Sequence, residues 1–251
     1  MKNLPKVLNE FNRKSAITCC TIVSVLEVTT LSKNTFPSHE RLLFASLLTM
    51  TAGSLDAYSY LIHGEVFAGL QTGNLILLGI NLGKLHFATA GHYLISLLAF
   101  CVGTIIVKML QHFLKSRGTQ APVEQRTVLL YITALLILSA LLEKSVPNIV
   151  GTSILSLAAA AALQEFRKLK GAPFMPLMMT GNFRTLYEAL YEAIFLKNKQ
   201  MATKAKDIAT VIFTFFAGAL MISLLIPSMG GYAILIPALI TIMMTWITMI
   251  K

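Results

Sequence analysis

The apolar runs of this chain constrain its fold more than any motif does. Stretches such as 42–62 and 88–107 run for about 20 residues with at most one charge, and as helices each would cross a hydrocarbon core of about 30 Å. Six stretches qualify: 42–62, 88–107, 127–142, 149–166, 207–226 and 231–250. Only 13% of residues are charged, against about 25% in an ordinary soluble domain. The expected class is an all-α polytopic membrane protein whose first partner is the lipid bilayer. A net charge of +10 is then read as basic loops on one membrane face. No basic run is interleaved with aromatics, so nucleic acid is not an expected partner.

Two further apolar stretches, 64–84 and 172–196, are broken. Each contains Thr-Gly-Asn, and the second also holds Pro173 and Pro176. Lysine and arginine placement decides whether they cross. If both re-enter on the face they left, eighteen of the 21 basic residues gather on the cytoplasmic side, with Lys84 and Lys144 outside and Arg184 within the second stretch. If both cross, the division falls to thirteen against seven. The expectation is therefore six spans plus two short re-entrant helices, with a cytoplasmic N-terminus.

A constant offset of 108 aligns Thr72-Gly73-Asn74 with Thr180-Gly181-Asn182, and Leu55-Asp56 with Leu163-Gln164. Each half then reads span, broken element, span, span. Three spans per half insert the second half upside down, giving inverted repeats over 41–126 and 127–251, the plan of many secondary transporters. Residues 1–40 are expected to form a peripheral or poorly ordered extension. Its apolar run 16–31 is short, carries Glu27 and lacks a small-residue cleavage site.

Irregular backbone is tolerated at membrane depth only where protein or a water-filled cavity encloses it. In the first element, Thr72 is a candidate N-cap for a short helix over 75–82, Gly73 permits a close approach and Asn74 supplies a donor and an acceptor. In the second, Arg184, Glu188 and Glu192 form a polar stripe beside Phe183, Tyr187 and Tyr191. That helix either re-enters, bringing Arg184 to an anionic group, or lies along the surface. Asp56 is the only acid inside the first span, and an intramembrane carboxylate is costly enough to mark a pathway or a buried partner. The candidate path residues are Asp56, Gln71, Thr72, Gly73, Asn74, Gln164, Thr180, Gly181, Asn182 and Arg184.

Several chemistries find no support. Cys19, Cys20 and Cys101 form neither a CxxC nor an even set, and no two of the five histidines stand four apart. No metal and no other cofactor is expected. Phosphate loop, dinucleotide fingerprint and hydrolase elbow are all missing. Gly79, Gly83, Gly103 and Gly218 read as close-packing positions, Trp246 and the methionines as packing residues, and Glu165 as a solvated flank.

The segments "GSLDAYSYLIHGEVFAGLQTGNLILLGINLG" (53–83) and "LQEFRKLKGAPFMPLMMTGNFRTLYEAL" (163–190) resemble the YoaK-like family of bacterial membrane proteins, a domain-of-unknown-function family. The resemblance spans residues 38–250, and "HERL" (39–42) is similar to its Gram-positive branch. It implies a multi-span protein of the bacterial plasma membrane. Asp56, Thr72, Gly73 and Asn74 match its first motif, and Gln164, Thr180, Gly181 and Asn182 its second. Glu165 stands where many members carry asparagine.

The residues lead to a secondary transporter for a small polar or anionic solute. Two alternatives stand beside it: an intramembrane enzyme acting on a lipid-type substrate, with Asp56 and Ser54 as its candidates, and a non-transporting scaffold or sensor. A homo-oligomer is compatible with each.

Overall fold

A computed structural model describes residues 36–249. The expected extension lies outside the described residues except for 36–40, and so do Cys19, Cys20, Glu27 and the run 16–31. After a short 3-10 turn, Ser38–Glu40, the chain forms α1 (Leu42–Ile62), α2 (Gln71–Gly83), α3 (Phe87–Ser116), α4 (Ala121–Leu142) and α5 (Asn148–Glu165). There follow α6 (Met179–Phe195), α7 (Lys199–Met229) and α8 (Leu235–Ile247), with a 3-10 turn over Gly230–Ile234 joining the last two. The described part is an all-α structure apart from one minimal hairpin.

Among the described residues, three stretches are long and apolar enough by themselves to cross a membrane: α3, α4 and the bent run Lys199–Ile247. Helices α1 and α5 fall short of that standard because their neighbours are protein. From Phe44 to Asp56 every residue of α1 is buried, so a hydroxyl there costs little once it has a partner. Thr49 meets Thr214 at 2.8 Å, Ser54 donates to the Gly218 carbonyl at 3.0 Å, and Tyr58 donates to the Gly231 carbonyl at 2.8 Å. Helix α3 shows the opposite composition, with Leu94, Leu98, Val102, Ile105 and Met109 exposed along its outer side.

Packing follows a doubled pattern. Helix α1 packs on α7 and α3 on α5; α2 lies on α3 and α6 on α7; α4 touches α5 and α8 touches α1. Helices α4 and α8 meet each other, and there Thr133 and Thr241, 108 residues apart, share a hydrogen bond of 2.7 Å. The α1–α7 contact is backbone to backbone. A Cβ on Gly53 would overlap the Phe215 carbonyl, and one on Gly218 the Met50 carbonyl, the close approach that small residues permit between membrane helices. Gly103 likewise faces Ala160 and Leu157. Gly79 and Gly83 do not fit the packing expectation, since none of the described residues lies within 4 Å of where their Cβ atoms would stand. Trp246 is corrected too: it is 69% exposed and turns outward.

The hairpin pairs β1 (Lys168–Leu169) with β2 (Ala172–Pro173). Lys170 and Gly171 both have positive φ, 49° and 78°, as a two-residue turn matched to strand twist requires. Buried Glu40 holds the turn: its carbonyl accepts from Lys170 N at 2.7 Å and its carboxylate from Gly171 N at 2.9 Å. Lys170 Nζ reaches Asp207 at 2.7 Å. No strand was expected here from sequence, because two residues per strand leave no periodicity to read.

Candidate functional site

Residues 63–70 link α1 to α2 without regular structure, so their peptide groups need partners from elsewhere. Side chains supply them. Ser59 donates to the Val66 carbonyl at 2.7 Å and Gln71 to the Ala68 carbonyl at 2.7 Å. Asn74, fully buried, accepts from Phe67 N at 3.0 Å and donates to the Phe67 carbonyl at 2.7 Å. Its amide also contacts Gln71 Oε1 at 3.0 Å and Ser96 Oγ at 3.1 Å. Ser96 in turn donates to the Phe67 carbonyl and meets Ser156 at 2.9 Å, tying α3 and α5 to the same point.

Asp56 completes this enclosure. Its Oδ1 accepts from Gly69 N at 2.6 Å and Leu70 N at 3.3 Å, which sets a carboxylate at the N-terminus of α2, where the helix dipole favours negative charge. Its Oδ2 is buried with no hydrogen-bond partner among the described residues. The short helix starts at Gln71, four residues before the expected position, and Thr72 is exposed and does not cap it. The cap residue is Leu70, with no side-chain bond, because Asp56 from the neighbouring helix takes the place of a local cap. Gly73 lies against the Phe67 ring, where a Cβ would stand 3.1 Å from Cδ2.

The second broken segment repeats one contact and drops the rest. Asn182 donates to the Met175 carbonyl at 3.2 Å, again seven residues back, and approaches Met179 Sδ at 3.6 Å. Gln164, aligned with Asp56, turns elsewhere: it donates to Gln111 at 3.2 Å and accepts from Arg167. Glu165 is not a simple solvated flank, since its carboxylate accepts from buried Gln111 at 2.6 Å. Thr180 and Gly181 are exposed at the start of α6. Arg184 is exposed and pairs with Glu188 at 2.8 Å.

The two segments meet at Gly69 and Leu177. The Leu177 side chain fills the space a Cβ on Gly69 would take, and these positions also differ by 108. Beside them lies a void of ≈ 10 Å³ whose lining includes Thr51, Leu55, Leu177 and Thr241, at the lower limit of about 10–15 Å³ for one water. Thr51 Oγ1 is buried there without a partner among the described residues. The centre is closed. On the outside of the second segment, Asn182, Gly181 and Thr185 line an open cleft of ≈ 420 Å³. Thus Asp56, Gln71, Gly73 and Asn74 form one connected cluster, Asn182 and Gly181 share the outer cleft, and Arg184 joins neither. Ser59, Ser96 and Ser156 were missed from sequence. Their only signal was a hydroxyl inside an apolar run.

Helices of this length and apolarity, with irregular segments enclosed by protein, define a helical membrane protein. Residues 44–247 match the family described as "Protein of unknown function (DUF1275)", and the chain belongs to that family. It is similar to the UPF0700 transmembrane protein YoaK of Bacillus subtilis, with 30% identity over 208 residues, covering 80% of this chain and 91% of that protein. No solved structure matches. The resemblance read from residues 53–83 and 163–190 is thereby borne out.

Proposed function

We propose that the chain is a secondary carrier for a small polar or anionic solute in the bacterial plasma membrane, seen here in a closed state. In this reading it is built from two inverted repeats of three spans and one re-entrant element. The shared seven-residue asparagine contact, the doubled helix packing and the Thr133–Thr241 and Gly69–Leu177 meetings support the repeat. The basic loops support a cytoplasmic N-terminus.

One observation carries the carrier reading: the unpartnered Asp56 Oδ2 lies on the residue that anchors the first broken segment, next to where the two segments meet. A buried acceptor without a donor costs about 1–3 kcal/mol. A proton, a cation or a solute donor reaching Oδ2 relieves that cost and weakens the hold on Gly69 and Leu70. Such differential binding is what shifts one conformation to another. Asn74 and Asn182 then act as clasps that move each segment as a unit, and solute meets Asp56 once Leu177 withdraws from Gly69.

A scaffold is the second reading, and the saturated hydrogen bonding of Asn74 favours it. The intramembrane-enzyme reading gains nothing, since the Ser54 hydroxyl is engaged by the Met50 and Gly218 carbonyls.

The test is aqueous access to the closed centre. Leu75 and Phe183 already face outward, 59% and 43% exposed, so Thr51→Cys, 3% exposed before substitution, is the sharper probe in a background free of the native cysteines. A carrier exposes this site in turn to a membrane-impermeant thiol reagent added to intact cells and to inverted vesicles. A folded protein inert from both faces between pH 5 and 8 (about the range over which buried acids can titrate) overturns the carrier reading in favour of the scaffold.

A further inference from the structure

A second cleft, of ≈ 810 Å³, lies between α3 and the end of α5. Its wall is apolar, made by Ile105, Met109 and Phe113 on one face of α3, and its basic residues are Lys108, His112 and Arg167. Among the described residues no carboxylate lines it. We propose that this cleft binds an anionic glycerophospholipid, with the phosphate between Lys108 and Arg167 and an acyl chain running along Ile105 and exposed Val102 toward the hydrocarbon core.

Depth, charge and shape agree on this occupant. From Phe87 to Lys108 the helix rises ~32 Å, about the thickness of the hydrocarbon core, so Lys108 sits at headgroup level when Phe87 lies at the opposite interface. Lys115 pairs with Glu124 at 3.7 Å, whereas no carboxylate among the described residues pairs with Lys108 or Arg167. Arg167 is already oriented. It donates to Gln164 Oε1 and to the Leu163 carbonyl, and three of its five N–H groups remain for a phosphate. The nearest acid in sequence, Glu165, is held by Gln111. Arg167 also borders the ≈ 420 Å³ cleft, walled by Leu163, Phe174 and Met178, so two grooves share one arginine. Two chains flanking one anion is the shape of a diacyl phospholipid. A free polar anion would make no use of the apolar walls. The site is independent of the carrier reading.

The full chain in mild detergent is titrated with phosphatidylglycerol or phosphatidylcholine, and bound lipid is counted by native mass spectrometry. Each basic residue near the headgroup favours the anionic lipid by about fivefold. Wild type is therefore expected to prefer phosphatidylglycerol by at least about tenfold. Lys108→Gln with Arg167→Gln brings the two lipids near parity, while Lys144→Gln, at the far end of α4, leaves the preference intact. Met109→Trp keeps both charges but narrows the groove, and lowers retention of both lipids. An unchanged preference in the double variant overturns the proposal. So does displacement of the lipid by inorganic phosphate alone, which would mark a site for small anions.

Discussion

Around the first broken segment, five side chains from α1, α2 and α3 bind the backbone of residues 66–70, and one of them is a carboxylate. Around the second, among the described side chains the Asn182 amide alone reaches back to its own loop, and the hairpin before it is pinned from outside by Glu40 and Asp207. Asn74 is fully buried, whereas Asn182 borders an open cleft. The same tripeptide thus sits in two surroundings. The first is locked by polar contacts inside the protein, whereas the second is held by apolar packing of Phe174 and Leu177 with few polar contacts, and faces an opening. If one segment moves first, the difference selects the second, since segments with few buried hydrogen bonds open at the least cost.

Asp56 and Gln164 offer the largest way to break that comparison. Asp56→Ala leaves the Gly69 and Leu70 amides without their acceptor, at an expected cost of about 3 kcal/mol. Gln164→Ala loses bonds at a partly exposed site and is expected to cost under about 1 kcal/mol. Thermal unfolding of the purified proteins in one detergent measures both. Asp56→Asn keeps an acceptor for Gly69 and is expected to fall between them. Equal losses at 56 and 164 would mean that the carboxylate does not lock the first segment.

The clasps give the next effect. Asn74→Ala removes contacts to Phe67 N, the Phe67 carbonyl, Gln71 and Ser96, and is expected to cost about 2 kcal/mol. Asn182→Ala removes one bond and a weak sulfur contact, for about 1 kcal/mol or less. Larger losses at 182 would invert the ranking and make the second segment the fixed one.

What sequence could see of this was set by range. Periodic apolar length is local, so Leu42–Ile62 was placed to the residue. For the two stretches read as broken, 64–84 and 172–196, the structure interrupts the helices over 63–70 and 166–178, the second beginning earlier than expected. The paired Thr-Gly-Asn was visible as a repeat, but its use was not. Threonine looked like the cap because capping is usually local. The actual anchor of α2 comes from Asp56, thirteen residues upstream of Gly69 on another helix. Asn74 instead spans seven residues to Phe67, a spacing that also separates Asn182 from Met175 and was there to be noticed. Ser96 and Ser156 were illegible because they converge only when α3 packs on α5. Trp246 and the two open glycines misled for a related reason: composition marks them as packing residues, while the helix face on which they fall is fixed by neighbours distant in sequence.

Arg184 carries the smallest expected effect, and it sharpens the comparison by direction more than by size. Its ion pair with Glu188 is an exposed i,i+4 contact, with the arginine side chain 81% exposed, so Arg184→Ala is expected to change stability by no more than about 0.5 kcal/mol. Gly181, Asn182 and Thr185 line the outer cleft and Arg184 does not; it shares the outward side of α6 with exposed Tyr187 and Tyr191. Thiol labelling at Thr51→Cys is therefore expected to proceed at the same rate with or without Arg184→Ala. A change in that rate with stability unaltered would require α6 to turn about its axis as the centre opens, bringing the guanidinium toward the cleft. The second segment would then be a rotating element, and the first its fixed counterpart.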